Sequence, residues 1–501
     1  MNSGEPTLAF LFWDEIMGIT VVGLGPGDGR FLTRQVWQTL TTAKTIYLRT
    51  QRHPAVADLP EGVAVHSFDD LYETADSFGQ VYEQIVTQLL QLGREEEIVY
   101  AVPGHPFMGE ATVTGLVAAA EKEQLSLTVL PGLSFVEPVL NALRLDGLDG
   151  LQLYDAIELT SFHYPPVNPD VPLLLGQVYN RLLASEVKLV LTAVYPDEHP
   201  VHLIHAAGTD EQQVESVPLY EMDHSQQIDH LTSLYVPPLP YKASLATLAE
   251  MVAVLRSPEG CPWDQEQTPQ SLRSGFLEEA SEVLAALDAD DSQNLREELG
   301  DVFYHLVMQA QMAAEMGEFK LSDVIAGVEA KLKHRHPHVW GDWQVVDSAE
   351  VVRNWEMIKQ QGKAKTAASL LDDIPLTLPA LGRSQKMQQR VRQVGFDWPD
   401  IEGVFAKLDE EIAELKAAVS LAEQTAELGD MLFVIVNIAS WLGIDAESAM
   451  REANGRFDGR FRQVEQLALA RQLNLGEMAI DALEELWQEA KRILAKSDTV
   501  A

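Results

Sequence analysis

Residues 276–282 read Phe-Leu-Glu-Glu-Ala-Ser-Glu, and residues 297–301 read Glu-Glu-Leu-Gly-Asp. Each segment carries acids three or four positions apart, and such positions share one face of an α-helix. Two antiparallel helices would bring both groups of acids together, where they are stable only if a cation neutralises them. Mg²⁺ prefers carboxylate oxygens and is the expected ion. The expected metal ligands of this first set are Glu278, Glu279, Glu282, Glu298 and Asp301.

The same pattern occurs a second time in the chain. The second set consists of Glu410, Glu411, Glu414, Glu427 and Asp430. The offsets are 410 − 278 = 132 and 427 − 298 = 129, so they differ by three residues, and we expect that difference to lie in the connecting loop. A repeat of this length indicates a duplicated structural unit. The sequence therefore predicts two helical units, with a metal site in at least one of them.

Composition limits the classes of partner. A chain of 501 residues suggests about three domains. The net charge of −40 argues against nonspecific binding to nucleic acid or to an anionic membrane. The single cysteine, Cys261, permits no internal disulfide and fits a reducing cytosol, so a cytoplasmic location is expected. The apolar stretch Leu8–Trp13 is too short to span a membrane.

The first half of the chain has the pattern of an α/β domain. Short apolar strands are predicted at Ile19–Val22, Glu97–Val102 and Leu127–Leu130, and a loop of small residues follows each one. Loops of this kind at the carboxyl ends of strands line a ligand crevice in α/β sheets. A further strand is predicted at Lys188–Thr192 in a second subdomain, and the proline-rich segment Val236–Pro240 ends the domain.

These loops resemble those of the tetrapyrrole methylase family. The resemblance rests on the loop 23–28, the run Tyr-Ala-Val-Pro-Gly-His-Pro at 100–106, Pro-Gly-Leu-Ser at 131–134 and Leu-Gly-Gln-Val-Tyr at 175–179. It implies two α/β subdomains with S-adenosylmethionine bound between them. The residues expected to meet that cofactor are Gly25, Pro26, Gly27, Gly104, His105 and Ser134. His105 departs from the family, which usually has Asp in this turn.

The second half reads as helices only, and each repeat ends in basic residues. Repeat one ends with Lys331 and Lys333, and repeat two with Arg456, Arg460 and Arg462. Acids that hold a metal, together with basic residues on a following helix, would form the two halves of a triphosphate site. The arginines could instead pair with surface acids. The sequence does not decide between these readings.

Both repeats are similar to the MazG family of nucleoside triphosphate pyrophosphohydrolases. The matching motifs are the two Glu-Glu-x-x-Glu and Glu-x-x-Asp sets, Cys-Pro-Trp-Asp at 261–264, the run Lys-His-Arg-His-Pro-His-Val-Trp at 333–340, and the stretch 454–461. The resemblance implies an all-α, Mg²⁺-dependent fold that assembles as a homodimer. It also implies cleavage of nucleoside triphosphates to monophosphate and pyrophosphate. The expected catalytic residues are Glu411, Glu279, Arg456, Arg460, Lys331 and Lys333.

The predicted architecture is therefore multidomain, with an α/β half and an all-α half. The expected boundaries are 1–16 for a disordered extension, 17–240 for the methylase-like domain, and 241–362 and 371–501 for the two helical repeats. Two alternatives stay open at this point. The chain could be chiefly an S-adenosylmethionine-dependent methyltransferase with an accessory helical half, or the helical half could be a scaffold whose acids are merely solvated. Both acid sets are complete, so the sequence does not say which repeat is active, and the basic end of repeat two favours that copy.

Overall fold

A computed structural model describes residues 18–75, 77–363, 369–372 and 374–497. The proposed extension at residues 1–16 lies outside the described residues. The chain divides into two compact units, Met1–Gln265 and Glu266–Ala501. The division falls after residue 265, and the domain boundary that the family resemblance predicts after residue 240 stays a prediction.

The first unit begins with a five-stranded parallel sheet. Its strands are β1 (Gly18–Gly23), β2 (Thr45–Leu48), β3 (Ala64–Ser67), β4 (Ile98–Val102) and β5 (Ser126–Leu130), in the order β3-β2-β4-β1-β5. The helices that accompany it are α1 (Arg34–Thr42), α2 (Asp69–Thr74), α3 (Phe78–Glu95) and α4 (Ala111–Glu123). The next helix, α5 (Val136–Leu143), packs instead with Leu174 and Ile204 of the second sheet. The predicted strands at 19–22, 97–102 and 127–130 are confirmed. β1 and β4 are buried almost throughout, as strands covered on both faces are.

The second sheet of this unit is mixed. Its strands are β6 (Gln152–Asp155), β7 (Leu173–Gly176), β8 (Pro200–His205), β9 (Gln213–Pro218) and β10 (Thr232–Val236), in the order β6-β7-β10-β8-β9. Only β6 and β7 pair in parallel, and the other neighbours are antiparallel. The helices α6 (Ala156–Leu159) and α7 (Arg181–Leu191) belong to this subdomain. The predicted α/β half is thus confirmed.

The strand predicted at Lys188–Thr192 is wrong, because most of that segment forms the end of α7. The Asn180 side chain accepts a hydrogen bond from the Leu183 backbone N–H and caps the helix. The buried residues of α7 are Leu183, Ala184, Val187 and Leu191, which follow helical spacing. Within the local apolar run Leu-Val-Leu at 189–191, Leu191 is buried but Leu189 is 68% exposed, so the run crosses both faces of an amphipathic helix that begins earlier.

The rest of the described chain consists of helices. These are α8 (Leu245–Arg256), α9 (Pro262–Glu266), α10 (Arg273–Asp288), α11 (Ser292–Glu315), α12 (Leu321–Arg335), α13 (Pro337–Trp340), α14 (Ser348–Lys363), α15 (Ala380–Arg392), α16 (Ile401–Ala417), α17 (Leu421–Trp441), α18 (Ala446–Ala470) and α19 (Ile480–Ser497). The described part of the second unit contains no strand. Helices α10 and α11 pack as one hairpin and α16 and α17 as another, which is the predicted duplication. No single described helix is both long and apolar enough to cross a membrane, although the bent pair α17 and α18 passes that test by length and composition.

Asp170, in the loop between α6 and β7, ties the second subdomain to the start of α8. Its carboxylate accepts hydrogen bonds from the Ala243 backbone N–H at 2.7 Å, from the Ser244 hydroxyl at 2.6 Å, and from the Thr247 hydroxyl. Burial alone would raise the pKa of Asp170, but the bonds from Ser244 and Thr247 outweigh it and lower the pKa to about 2. The charged carboxylate therefore stabilises the native state.

Replacement of Asp170 by Ala should lower the free energy of unfolding of the first unit by about 2 kcal/mol at pH 7, because several bonds to a charged acceptor are lost. A depressed pKa contributes stability that is present above the unfolded-state value of 3.8 and is lost as the pH falls towards about 2. Denaturant unfolding of wild type and variant should therefore differ at pH 7 and converge near pH 2. A difference that did not depend on pH would contradict this role for the charge.

Candidate functional site

In repeat one, three acids of the α10–α11 hairpin lie close enough to share one ion. Carboxylate oxygens of Glu279, Glu282 and Glu298 all lie within 4.8 Å of one another. Burial raises the pKa of Glu279, and so does the negative charge of Asp301 and Glu282. The pKa of Glu298 is raised in the same way, by burial and then by Glu282 and Glu279. These acids repel one another, and a cation would relieve that repulsion.

In repeat two, the corresponding group is Glu411, Glu427 and Asp430 of the α16–α17 hairpin. Glu411 is only 4% exposed, and its Oε2 has no hydrogen-bond partner among the described residues. Burial raises the pKa of Glu427, and the negative charges of Glu414, Glu411 and Asp430 raise it further. A buried carboxylate oxygen without a donor is the arrangement that a bound cation would complete.

Lys407 is a member of this site that the sequence analysis did not identify. Its Nζ lies 2.8 Å from Glu411 Oε1 and 3.0 Å from Glu410 Oε1. The hydrogen bonds to these two carboxylates raise the pKa of Lys407. The signal was present in the sequence, because a lysine three and four positions before a pair of glutamates lies on their helix face. The equivalent position in repeat one is 407 − 132 = 275, which is a glycine.

We call each of these groups of three acids a trio. The two trios contain acids at different positions because the two hairpins differ in register. Both hairpins have three-residue connections, 289–291 and 418–420, so the expected difference in loop length is wrong. Instead, α10 continues six residues beyond Glu282, whereas α16 continues three beyond Glu414. Glu298 and Glu427 both lie six residues after the start of their helices. Counted back from the connection, Glu298 is therefore level with Glu282, and Glu427 is level with Glu411.

The predicted metal ligands thus fall into three groups. Six of the ten belong to the two trios, and they are Glu279, Glu282, Glu298, Glu411, Glu427 and Asp430. Glu278, Asp301 and Glu414 act on the trios through their charge, since they raise the pKa of Glu279 or Glu427. Glu410 pairs with Lys407 and its side chain is 57% exposed. Its assignment as a ligand stays a prediction.

The partners of the predicted basic residues are not members of the trios. Lys333 pairs with Glu329, Arg456 with Glu452, and Arg462 with Asp458, in each case one turn along the same helix. The Arg460 guanidinium lies 5.9 Å from the ring centroid of Trp487. Lys331 is exposed. Contact of these residues with a phosphate would require them to exchange partners, so their catalytic roles stay predictions.

The trios suit a hard divalent cation. Every donor is a carboxylate oxygen, which is the ligand type that Mg²⁺ selects, and the acids supply the negative charge that it neutralises. The imidazole and thiolate ligands favoured by zinc or copper are absent from both trios.

In the first unit, the expected cofactor turns lie against each other. The Gly25 backbone N–H donates to the Gly104 carbonyl at 3.2 Å, and the Gly104 N–H donates to the Gly25 carbonyl at 2.8 Å. Both glycines have positive φ, 76° and 64°, which explains why glycine is needed at these two positions. A Cβ on Gly27 would lie 2.7 Å from the Gly208 carbonyl oxygen. The structure therefore brings two of the predicted loops together at the carboxyl ends of β1 and β4.

Two of the other three predicted cofactor residues have internal partners. The Ser134 backbone N–H and hydroxyl both donate to Glu137 Oε2, at 2.8 and 2.6 Å. His105 Nδ1 accepts a hydrogen bond from the Phe107 backbone N–H at 3.1 Å. Their roles in cofactor binding stay predictions, as does that of Pro26.

Three family models match the chain. Residues 18–223 match the tetrapyrrole (corrin/porphyrin) methylases, residues 267–340 match the MazG nucleotide pyrophosphohydrolase domain, and residues 388–457 match phosphoribosyl-ATP pyrophosphohydrolase. The matches cover both predicted halves, and each of the two helical matches contains one complete acid set.

Curated relatives agree with this division. The uncharacterized protein YabN of Bacillus subtilis is 40% identical over 488 residues, which are 96% of this chain and 99% of that protein. The nucleoside triphosphate pyrophosphohydrolase of Escherichia coli K12 is 45% identical over 245 residues, 48% of this chain and 93% of that protein. The nucleoside triphosphate pyrophosphohydrolase/pyrophosphatase MazG of Thermotoga maritima is 43% identical over 244 residues, 49% of this chain and 94% of that protein. The chain therefore belongs to the family in which a tetrapyrrole methylase domain is fused to a MazG nucleotide pyrophosphohydrolase region.

Proposed function

We propose that the helical half hydrolyses nucleoside triphosphates to nucleoside monophosphates and pyrophosphate, with Mg²⁺ as its cofactor. The observation that carries this proposal is the pair of carboxylate trios on duplicated hairpins, in a region whose relatives are named as nucleoside triphosphate pyrophosphohydrolases. Water would attack the α-phosphorus, and the bond between the α-phosphorus and the bridging oxygen would break. A general base would accept one proton from the attacking water.

The residues of repeat two supply the parts of this reaction. Glu411, Glu427 and Asp430 would hold the ion, which would supply positive charge to neutralise the triphosphate. One glutamate of the set orients the attacking water and takes its proton. Arg456 and Arg460 stabilise the departing pyrophosphate after leaving their present partners. In repeat one the same roles fall to Glu279, Glu282 and Glu298, with Lys331 and Lys333.

Pyrophosphate release from a panel of ribo- and deoxyribonucleoside triphosphates tests this function directly. We expect release in excess Mg²⁺ and a loss of at least about a hundredfold in EDTA, because the acids would then repel the phosphates. Back-titration with Mg²⁺ should restore the rate and shows that EDTA has not unfolded the protein. A rate that is the same in EDTA would contradict the proposal, and so would release of orthophosphate alone.

Exposed apolar side chains on the first hairpin support a homodimer as the working assembly. Leu277 and Leu287 of α10 are 62% and 54% exposed, and Phe303 and Leu306 of α11 are 53% and 48% exposed. Large apolar side chains on both helices of one hairpin are typical of a surface that another chain covers. A second copy would turn two hairpins into a four-helix unit. We place this assembly in a reducing cytoplasm, in keeping with the single cysteine.

The first unit is proposed to bind S-adenosylmethionine. The paired turns at Gly25 and Gly104 support this assignment, because they present backbone groups at the carboxyl edge of a parallel sheet. Calorimetric titration with S-adenosylhomocysteine tests it, and absence of heat would remove the cofactor and the methyltransferase alternative together.

A further inference from the structure

Four polar atoms between α15 and α17 of repeat two are shielded from solvent and have no hydrogen-bond partner among the residues that the structure describes. They are Gln388 Oε1, Arg392 Nη2, Asn437 Oδ1 and Trp441 Nε1. Gln388 and Asn437 are 4% and 6% exposed. Folded proteins pair nearly all of their buried polar groups, because an unpaired group loses its bonds to water without replacement. Several unpaired groups in one interface therefore point to a partner from outside the chain.

The interface also holds these side chains in defined positions. Gln388 Nε2 donates to the Phe433 carbonyl at 2.7 Å, which fixes the amide and leaves Oε1 as a free acceptor. The Arg392 guanidinium lies 5.1 Å from the ring centroid of Trp441 and forms an ion pair with Asp397. The groups are thus fixed in place before any ligand arrives.

A neighbouring glutamine shows what a purely structural amide does in the same helix. Gln385 Nε2 donates to the Ile444 carbonyl at 2.7 Å, and its Oε1 accepts from the Ala446 backbone N–H at 3.0 Å. Both ends of that amide are therefore used within the fold. Gln388 lies one turn further along α15 and uses only one end. The difference separates the unpaired groups from ordinary helix packing.

The unpaired groups follow the acid trio along one face of α17. Asp430, Val434, Asn437 and Trp441 are spaced four, three and four residues apart, so they form a single stripe. Asn437 lies seven residues after Asp430, which is about 10 Å along the helix axis. A ligand whose phosphates lie at the trio could therefore reach Asn437 with its other end.

Repeat one lacks the amide and the indole of α17, although His305 Nδ1 of α11 is also buried without a partner among the described residues. The positions equivalent to Asn437 and Trp441 are 437 − 129 = 308 and 441 − 129 = 312, and both are methionines. Met308 and Met312 are fully or almost fully buried. The two repeats thus share the acids but not the amide and indole, which makes repeat one a natural control.

We propose that Gln388, Arg392, Asn437 and Trp441 bind the nucleobase of a nucleoside triphosphate whose phosphates are held by the trio of repeat two. This inference rests on the proposed function and adds the part of the site that distinguishes a nucleotide from any other polyphosphate. The amide oxygens accept hydrogen bonds from base N–H groups. Arg392 and Trp441 donate to base carbonyls or ring nitrogens. The ligand class is a purine or pyrimidine base, which these side chains recognise by hydrogen bonds to one edge of the base.

The test compares a ligand that has a base with one that does not. The full chain is titrated in a calorimeter with α,β-methylene ATP in excess Mg²⁺, and separately with inorganic tripolyphosphate in excess Mg²⁺. Asn437→Leu should weaken binding of the nucleotide about tenfold and leave tripolyphosphate unchanged. Trp441→Phe keeps an aromatic ring beside Arg392 but removes the indole N–H donor, so it should act in the same direction. Met308→Leu, the matched change in repeat one, should alter neither affinity.

Folding is monitored by thermal unfolding without ligand. Asn437→Leu should not lower the melting temperature, because it removes a buried unpaired amide. The inference is overturned if Asn437→Leu leaves nucleotide affinity unchanged, as it would if water satisfies these atoms, or weakens both ligands equally. If wild type hydrolyses nucleotides in either of these cases, the proposed function stands without the base site. If wild type binds neither ligand, both proposals fail.

Discussion

Glu411→Gln should lower the rate of pyrophosphate release about a hundredfold or more. Glu411 is the most buried acid of the two sets, and its Oε2 has no internal donor. The amide keeps the shape of the side chain but removes both the charge that holds a cation and the capacity to take a proton from water. Glu279→Gln, the equivalent change in repeat one, reports on the other copy. A large loss in one variant alone identifies the active repeat.

The matched control for these variants is Asp409→Asn. Asp409 is exposed, lies on α16 two residues before Glu411 and is outside the trio, so the loss of its charge should leave the rate within about twofold. Rates are compared at saturating nucleotide and Mg²⁺. If Glu411→Gln and Glu279→Gln both retain the wild-type rate, the assignment of the acids to catalysis is wrong.

Lys407→Met should strengthen Mg²⁺ binding at repeat two by about one to two orders of magnitude. The lysine Nζ lies 2.8 Å from Glu411, a member of the trio, so its positive charge opposes a cation there. The reverse change is available in repeat one, where Gly275→Lys places a cation three and four residues before Glu278 and Glu279 and should weaken binding by a similar factor. Titration with Mg²⁺ alone measures both effects without any reaction.

Two further measurements distinguish charge from shape. Gly275→Ala tests for a steric effect, because a Cβ at this position would lie 3.0 Å from His305 Cε1. Lys407→Met should also lower the melting temperature in EDTA, and Mg²⁺ should restore it, because the metal-free acids of repeat two would lose their internal cation. Unchanged Mg²⁺ affinity in both Lys407→Met and Gly275→Lys would contradict this account.

The sequence predicted the acids because their spacing is a local property of one helix. Glu278, Glu279 and Glu282 share a helix face however the two helices pack. The second copy of the pattern indicates a repeated structural unit and not a chance cluster of acids. The sequence did not predict which acids meet across the hairpin. That depends on how far each first helix continues beyond its last acid, and helix ends are the least certain part of a prediction.

The other residues of the site also divide into those that the sequence could predict and those that it could not. Lys407 could have been found, since its partners lie three and four residues away on the same helix. The unpaired atoms at Gln388 and Asn437 could not, because they are defined by the packing of α15 against α17, whose residues are about 45 positions apart. The segment 188–192 was assigned to a strand because a short apolar run has the same composition in a strand and in a buried helix.

The extra turn at the end of α10 has an evolutionary consequence. After a gene duplication, two copies are usually thought to diverge by substitution of their catalytic residues, yet here all five acids are retained in both. Three residues added near a hairpin tip slide one helix past the other, so that an unchanged inventory of side chains presents a different coordination geometry. A difference of three residues beyond the last acid of the first helix is therefore sufficient to change which acids meet, without a substitution in either set.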